Sequence, residues 1–399
     1  MEFISGRDIV IVGLQPWDTE IGSNCKNIAV EFSKHNRVLY VNSPLDRITT
    51  LRNKEDKNVR KRLEILKGNQ SNLEEIQENL WVYYPDVIIE SINWIKIDLL
   101  FDILNKRNNR KISAAIERAM RKLEFKDVIL FNDNDIFRSF YLKDYLKPSV
   151  SVYYSRDYLL GVDYWKHHGK RLEPELMAKS DICVANSNYL VGLCRKFNPN
   201  SYYVGQGCEV ELFLHANDLP IPHDVEAIQG PRIGYVGALQ SLRLDLEVIR
   251  FMAKERPGYQ IVLVGPEDDE FKSSDLHQLT NVHFLGSKKP DELPGYINAF
   301  DVCINPQLVN EVTIGNYPRK IDEYLAVGKP TVATKTESMQ VFADYVYLAE
   351  NKHQYLELID KAINSNNESL VSERKAFASG HTWEASVELI YSAIDDSLK

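Results

Sequence analysis

The densest chemistry in the chain lies in NYPRKIDEYLAVGKPTVAT, residues 316–334, where Asn316, Tyr317, Arg319, Lys320 and Glu323 fall within eight positions. Pro318 suits a first helical position, because its missing N–H would have had no partner there. Ile321, Tyr324 and Leu325, spaced i, i+3 and i+4, give the short helix a core face, while Lys320 and Glu323 share another. Gly328 fits the left-handed cap, and residues 330–334 resume as a buried strand. A helix that opens with cations and carries a carboxylate one turn in can hold phosphate at its N-terminus and hydrogen-bond a ribose farther along. The competing reading of Lys320 and Glu323 is a surface ion pair worth a few tenths of a kcal/mol.

Other candidates lie in the first half. Gly13 closes the apolar run RDIVIVGL, residues 7–14, and precedes a loop at 15–23 that contains Asp18. The turn lacks G-x-G-x-x-G, so it predicts a Rossmann-like unit without the dinucleotide fingerprint, in which the glycine serves packing. Arg156 and Asp157 follow the strand at 149–154, where parallel strands end and active groups collect; a local ion pair that fixes the loop explains them equally well. Asp133-Asn134-Asp135 spells D-x-D, read more simply as a turn and the cap of a helix at 136–145. His167 and His168 have no carboxylate or cysteine beside them in sequence and are not assigned to a metal.

These residues need elements to hold them. The 399 residues, 44% of them hydrophobic, suffice for two domains. Two successive α/β series predict an N-terminal Rossmann-like, acceptor-side domain over 1–213 and a Pro-, Gly- and Asp-rich linker at 214–230. A nucleotide-binding domain over 231–382 and a last helix at 383–399 complete the order. Residues 1–200 hold 31 Lys+Arg against 27 Asp+Glu, a balance of +4, so the remainder carries −13 of the total −9. The basic half is the side that would meet an anionic acceptor or membrane. Within it, residues 111–123 form a basic amphipathic helix that either lies on a membrane or packs on its own sheet. Five scattered cysteines without C-x-x-C point to a reducing compartment and no metal site. No leader or membrane span is evident, which predicts a cytoplasmic protein, at most peripheral at the inner face of the cell membrane.

Taken together, the GYVGAL turn at 234–239, IVLVGP, NVHFLG, DELPGYINAFDVCINP and YPRKIDEYLAVGKPTVAT resemble, in order and spacing, the nucleotide-sugar half of GT-B glycosyltransferases. The resemblance is to the large retaining family of bacterial transferases that build capsule, exopolysaccharide and teichuronic acid. It implies a GT-B fold, α/β with two Rossmann-like doubly wound domains facing across a cleft. It further implies sugar transfer from a nucleoside-diphosphate sugar to a hydroxyl of a surface glycan or its lipid-linked precursor. No cofactor, metal or nucleic acid is implied. Glu323 would bind the donor ribose, with Gly237, Arg243, Lys320 and Arg319 at the diphosphate, Ser287 and Lys288 at the base, and Gly315, Asn316 and Tyr317 lining the donor. Gly13, Asp18 and Arg156 would face the acceptor, and Asp157 or Asp18 would serve as base if the reaction inverted. The family's usual first glutamate, eight positions before Glu323, is replaced by Gly315. That departure keeps two alternatives open: a non-catalytic nucleotide-sugar-binding subunit, and a nucleotide-sugar epimerase of the same fold.

Overall fold

Runs of Val, Ile, Leu and Tyr buried on both faces require helices on both sides of a sheet, and both halves of the chain meet this requirement. The computed structural model describes residues 4–19 and 23–398. Residues 20–22 of the expected loop and residue 399 of the expected last helix lie outside it. Two compact units result, Met1–Gly205 with Ser386–Lys399, and Gln206–Ala385.

The first unit contains β1 (Asp8–Gly13), β2 (Arg37–Val41), the short β3 (Leu45–Asp46), β4 (Leu73–Gln77), β5 (Leu80–Tyr83), the short β6 (Ile88–Ile89), β7 (Ile129–Asp133), β8 (Val150–Ser155), β9 (Ile182–Ala185) and β10 (Ser201–Tyr203). Eight of these form a sheet in the order β10-β9-β8-β7-β1-β2-β5-β4. All pairs are parallel except β4 with β5. Register sets Ile11 opposite both Tyr40 and Phe131, and Gly13 opposite Asp133. The charged stretch 51–78, with its basic run, reads as helical in sequence. Instead the helix Lys57–Leu66 gives way to the edge strand β4.

Helix Asp98–Leu123 settles the amphipathic question for residues 111–123. Ile112, Ala115, Ile116 and Ala119 are buried in a core with Val10, Leu39 and Leu130. That apolar stripe is therefore filled by the sheet and not offered to a membrane. The helix expected at 136–145 is reduced to Leu142–Leu146. Asn109 is the cause: its Nδ2 donates to the Phe137 carbonyl (2.9 Å) and its Oδ1 accepts from the Tyr141 N–H (3.0 Å). Those two backbone groups would have bonded each other in an α-helix.

The second unit contains β11 (Arg232–Val236), β12 (Gln260–Val264), β13 (Val282–Gly286), β14 (Val302–Asn305), β15 (Thr331–Thr334) and β16 (Tyr347–Ala349). They form a parallel sheet ordered β13-β12-β11-β14-β15-β16. The stretch 214–230, read as a linker, instead includes the helix His223–Glu226 and packs Ala216, Val225 and Ile228 into this unit's core. Their apolar side chains explain why a Pro-rich segment is held down. Residues 386–398 of the last helix, Trp383–Leu398, belong to the first unit. There Tyr391 accepts a hydrogen bond from Asn36 (2.9 Å).

Candidate functional site

At the carboxyl edge of the second sheet lies a cavity of about 320 Å³. Gly237, Arg243, Asn316, Tyr317, Arg319, Lys320 and Glu323 all line it, joined by Tyr235, Asn305, Gln307 and Thr313. Strand ends of a parallel sheet converge at this edge, which explains how residues 237 and 323 meet. The helix is Lys320–Val327, entered through a tight turn in which Ile321 N–H donates to the Pro318 carbonyl (2.8 Å). It stops at Gly328, in the left-handed region at φ 86°. Ile321, Tyr324 and Leu325 are fully buried.

Two of the cavity's three cations, Lys320 and Arg243, are held by neutral groups. Lys320 Nζ sits 5.1 Å from the centroid of the Tyr235 ring. Arg243 Nη1 donates to the side-chain oxygen of Asn316 (3.0 Å) in the amide orientation its surroundings require. Neither forms an ion pair among the described residues. Glu323, 9% exposed, approaches Arg319 Nε at 3.3 Å. Burial pushes its carboxyl above the usual range, while Arg319 and Lys320 pull it back.

Backbone approach is equally close. Gly237 has φ 140°, and a Cβ there would lie 3.2 Å from the Lys320 side chain. A Cβ at Gly265 would fall 1.9 Å from the Gly237 carbonyl oxygen. Only glycine fits either turn. Beneath the cavity, Tyr317 donates to Asp322 Oδ2 (2.9 Å) and His381 Nδ1 lies 2.6 Å from Asp322 Oδ1. Asp322 is wholly buried, which raises its pKa, and His381 opposes that shift. This triad fixes the loop that carries Asn316 and Tyr317.

Three donor-side candidates fall elsewhere. Ser287, Lys288 and Gly315 do not line this cavity, and Lys288 is drawn to Asp224 at 2.7 Å. Conversely, Asn305 was missed. It is 3% exposed, ends β14, and its Nδ2 has no hydrogen-bond partner among the described residues. The only sequence signal was its place at the end of DVCIN.

The first-unit candidates are engaged mostly with one another. Gly13 packs so closely on Tyr40 that a Cβ would meet the phenol oxygen at 2.2 Å. Asp18 pairs with Arg62 at 2.7 Å. Arg156 spans Asp133 (2.7 Å) and Asp157 (2.6 Å). Asp135 accepts from the Arg138 N–H (3.0 Å) and pairs with its side chain (2.6 Å) within a turn, since the helix it was expected to cap begins only at Leu142. Both carboxylates of D-x-D are thus bound to arginines. Asn134, at φ 55°, accepts the amides of Arg156 and Asp157 (2.8 and 2.9 Å) and donates to Tyr153 (3.0 Å). Tyr153 in turn donates to Glu173 (2.8 Å). A separate cavity of about 730 Å³ opens in this unit, lined by Leu14, Asp46, Trp94, Asp135, Phe137, Tyr164, Trp165 and His167 among others. Apart from the D-x-D acid, it was not legible from the motifs.

Two Rossmann-type units with a ligand-sized cavity at a strand edge define the GT-B class, and comparison with solved structures agrees. Anabaena Alr3699/HepE, crystallised with UDP, superposes with a TM-score of 0.67 at 14% identity, covering 98% of this chain and 100% of that one. Sucrose-phosphate synthase of Thermosynechococcus elongatus gives 0.66 at 14% identity, with 98% of each chain covered. The chain has the GT-B fold. Its second unit matches the family model described as Glycosyl transferases group 1 over residues 230–364. A Bacillus subtilis protein, TuaH, provisionally assigned as a teichuronic acid biosynthesis glycosyltransferase, is 26% identical over 226 residues. That match covers 54% of this chain and 56% of the relative, so the chain spans little more than half the length of the curated relative it matches.

Proposed function

We propose that the chain is a glycosyltransferase that moves a sugar from a nucleoside-diphosphate sugar to a hydroxyl of a bacterial surface glycan or its lipid-linked precursor. Transfer proceeds with retention, at the cytoplasmic face of the cell membrane. The observation that carries this reading is the second-unit cavity, where Lys320 and Arg243, neither in an ion pair among the described residues, stand with the buried Glu323. The leaving group is a diphosphate, and fixed cations aimed at its developing charge lower the barrier without reorganising. Glu323 accepts from the ribose hydroxyls, and Asn305 offers its unpartnered Nδ2 to a donor oxygen. The close glycine turn at Gly237 lets backbone reach the phosphates. The larger first-unit cavity, with its aromatic walls, takes the acceptor.

UDP is the first probe, because UDP occupies the Anabaena relative and UDP-2-fluoro glucose occupies an Escherichia coli relative of the same fold (TM-score 0.65, 10% identity, 98% of this chain and 99% of that one). A thermal-shift screen of nucleoside diphosphates and their sugars should raise the melting temperature with at least one of them. Incubating that donor with lipid-linked acceptors should then give transfer with the donor's anomeric configuration kept. Binding without transfer or hydrolysis would make the chain a binding subunit, and isomerised donor sugar would make it an epimerase. Neutralisation by side chains also predicts that turnover survives EDTA, whereas its loss would assign that task to a metal.

A further inference from the structure

We propose that the first unit docks on an anionic lipid bilayer through the start of helix Asp98–Leu123 and the segment just before it. Trp94, Ile97, Leu99, Leu100 and Ile103 are 69, 66, 72, 44 and 58% exposed. Single exposed apolar residues are normal, but five large ones within ten positions form a continuous patch of the kind that marks an interaction site. The core does not claim them, because this helix already buries its opposite stripe, Phe101, Asn105, Asn108 and Ile112, against the unit.

Charge decides what covers the patch. From Ile103 the same exposed stripe continues at i+3, i+4 and i+7 with Lys106, Arg107 and Arg110, and Lys96 precedes the helix. None of the four forms an ion pair among the described residues. Of the two acids at the start of the helix, Asp102 is drawn to Arg171 at 2.7 Å, and Asp98, though 63% exposed, lies 3.2 Å from His168 Nδ1, so the cations outnumber the free carboxylates on this face. An aromatic and aliphatic end followed by a cationic band repeats the layering of an anionic membrane, hydrocarbon first and headgroups next. Trp94 also lines the 730 Å³ cavity opposite Tyr164, which is 60% exposed. Such amphipathic rings sit at the water–lipid boundary. Docking here would open that cavity at headgroup level, where a lipid-borne molecule could enter it.

The proposal stands on this unit's surface and not on the chemistry of the other, so the two can fail separately. The test is sedimentation of the full chain with vesicles of phosphatidylcholine alone or mixed with phosphatidylglycerol. The wild type should bind the anionic vesicles about tenfold or more tightly than the neutral ones, and salt should weaken binding. Leu99→Ser with Ile103→Ser should lower the affinity about tenfold or more, and Lys106→Ala with Arg107→Ala and Arg110→Ala about a hundredfold. All five positions are exposed, and unchanged circular dichroism and melting temperature would confirm that the variants fold. Trp94 emission should shift blue on anionic vesicles and be quenched by brominated lipid, an effect lost in Trp94→Phe. Equal sedimentation of the wild type and both variants would overturn the proposal. So would a wild-type dimer in light scattering that Leu99→Ser with Ile103→Ser dissociates, without vesicle binding, since the patch would then cover a second copy.

Discussion

The strand edges of the two units use charge in opposite ways. In the first unit, arginines and carboxylates satisfy each other: Arg156 with Asp133 and Asp157, Arg138 with Asp135, Arg62 with Asp18. In the second, Lys320 leans on a tyrosine ring and Arg243 on an amide, and neither forms an ion pair among the described residues, although the charge of Lys320 is felt by Glu323. A buried ion pair that is already complete holds a loop in place. A cation packed on neutral groups keeps its charge for a ligand. Residue type alone would have ranked Arg156 and Lys320 alike; their partners separate them.

The comparison breaks first, and by the largest margin, at Arg156. Arg156→Ala strands Asp133, which is wholly buried, and should cost about 3–5 kcal/mol in urea unfolding. A loss of activity at unchanged stability would move Arg156 from scaffold to chemistry. Glu173, buried under Tyr153, sharpens the same point, because burial raises its pKa to about 7. Native protein keeps this proton where the unfolded chain has already released it. Stability from Glu173 is therefore complete below the ordinary glutamate range and is lost as pH rises to about 7. Glu173→Gln should remove that fall, a gain of roughly 3 kcal/mol at pH 8 in parallel denaturant titrations. Equal slopes of stability against pH in both proteins would show that Glu173 is charged in the fold.

The second unit should respond in activity rather than stability. Lys320→Ala should lower kcat about tenfold or more, with a melting temperature close to that of the wild type. Turnover equal to the wild type would make the lysine a surface group.

Legibility followed the same division. The helix from Lys320 and its Gly328 cap could be read because glycine turns and apolar spacing are local signals, whereas the meeting of Gly237, Arg243 and Glu323 was implied only by the resemblance of the motifs, in order and spacing, to a family. The turn at Asp135 was legible from local signals too, although the helix read after it starts only at Leu142. What sequence hid was set by distant partners. Asn109 disrupts the helix expected at 136–145 by taking both ends of the bond from the Tyr141 N–H to the Phe137 carbonyl. Asp224 draws Lys288 away from the cavity. Val225 and Ile228 pin down a segment whose composition reads as a linker. Nothing in DVCIN announced that Asn305 would end buried with a spare donor.

The central claim, that the second-unit cavity is the nucleoside-diphosphate site, is tested most directly by calorimetric titration of UDP into the wild type and Glu323→Ala. Losing the ribose acceptor should weaken binding about tenfold or more, as expected for a hydrogen bond to a charged group, without altering the fold seen by circular dichroism. Unchanged affinity in Glu323→Ala would contradict the assignment and place the nucleotide elsewhere.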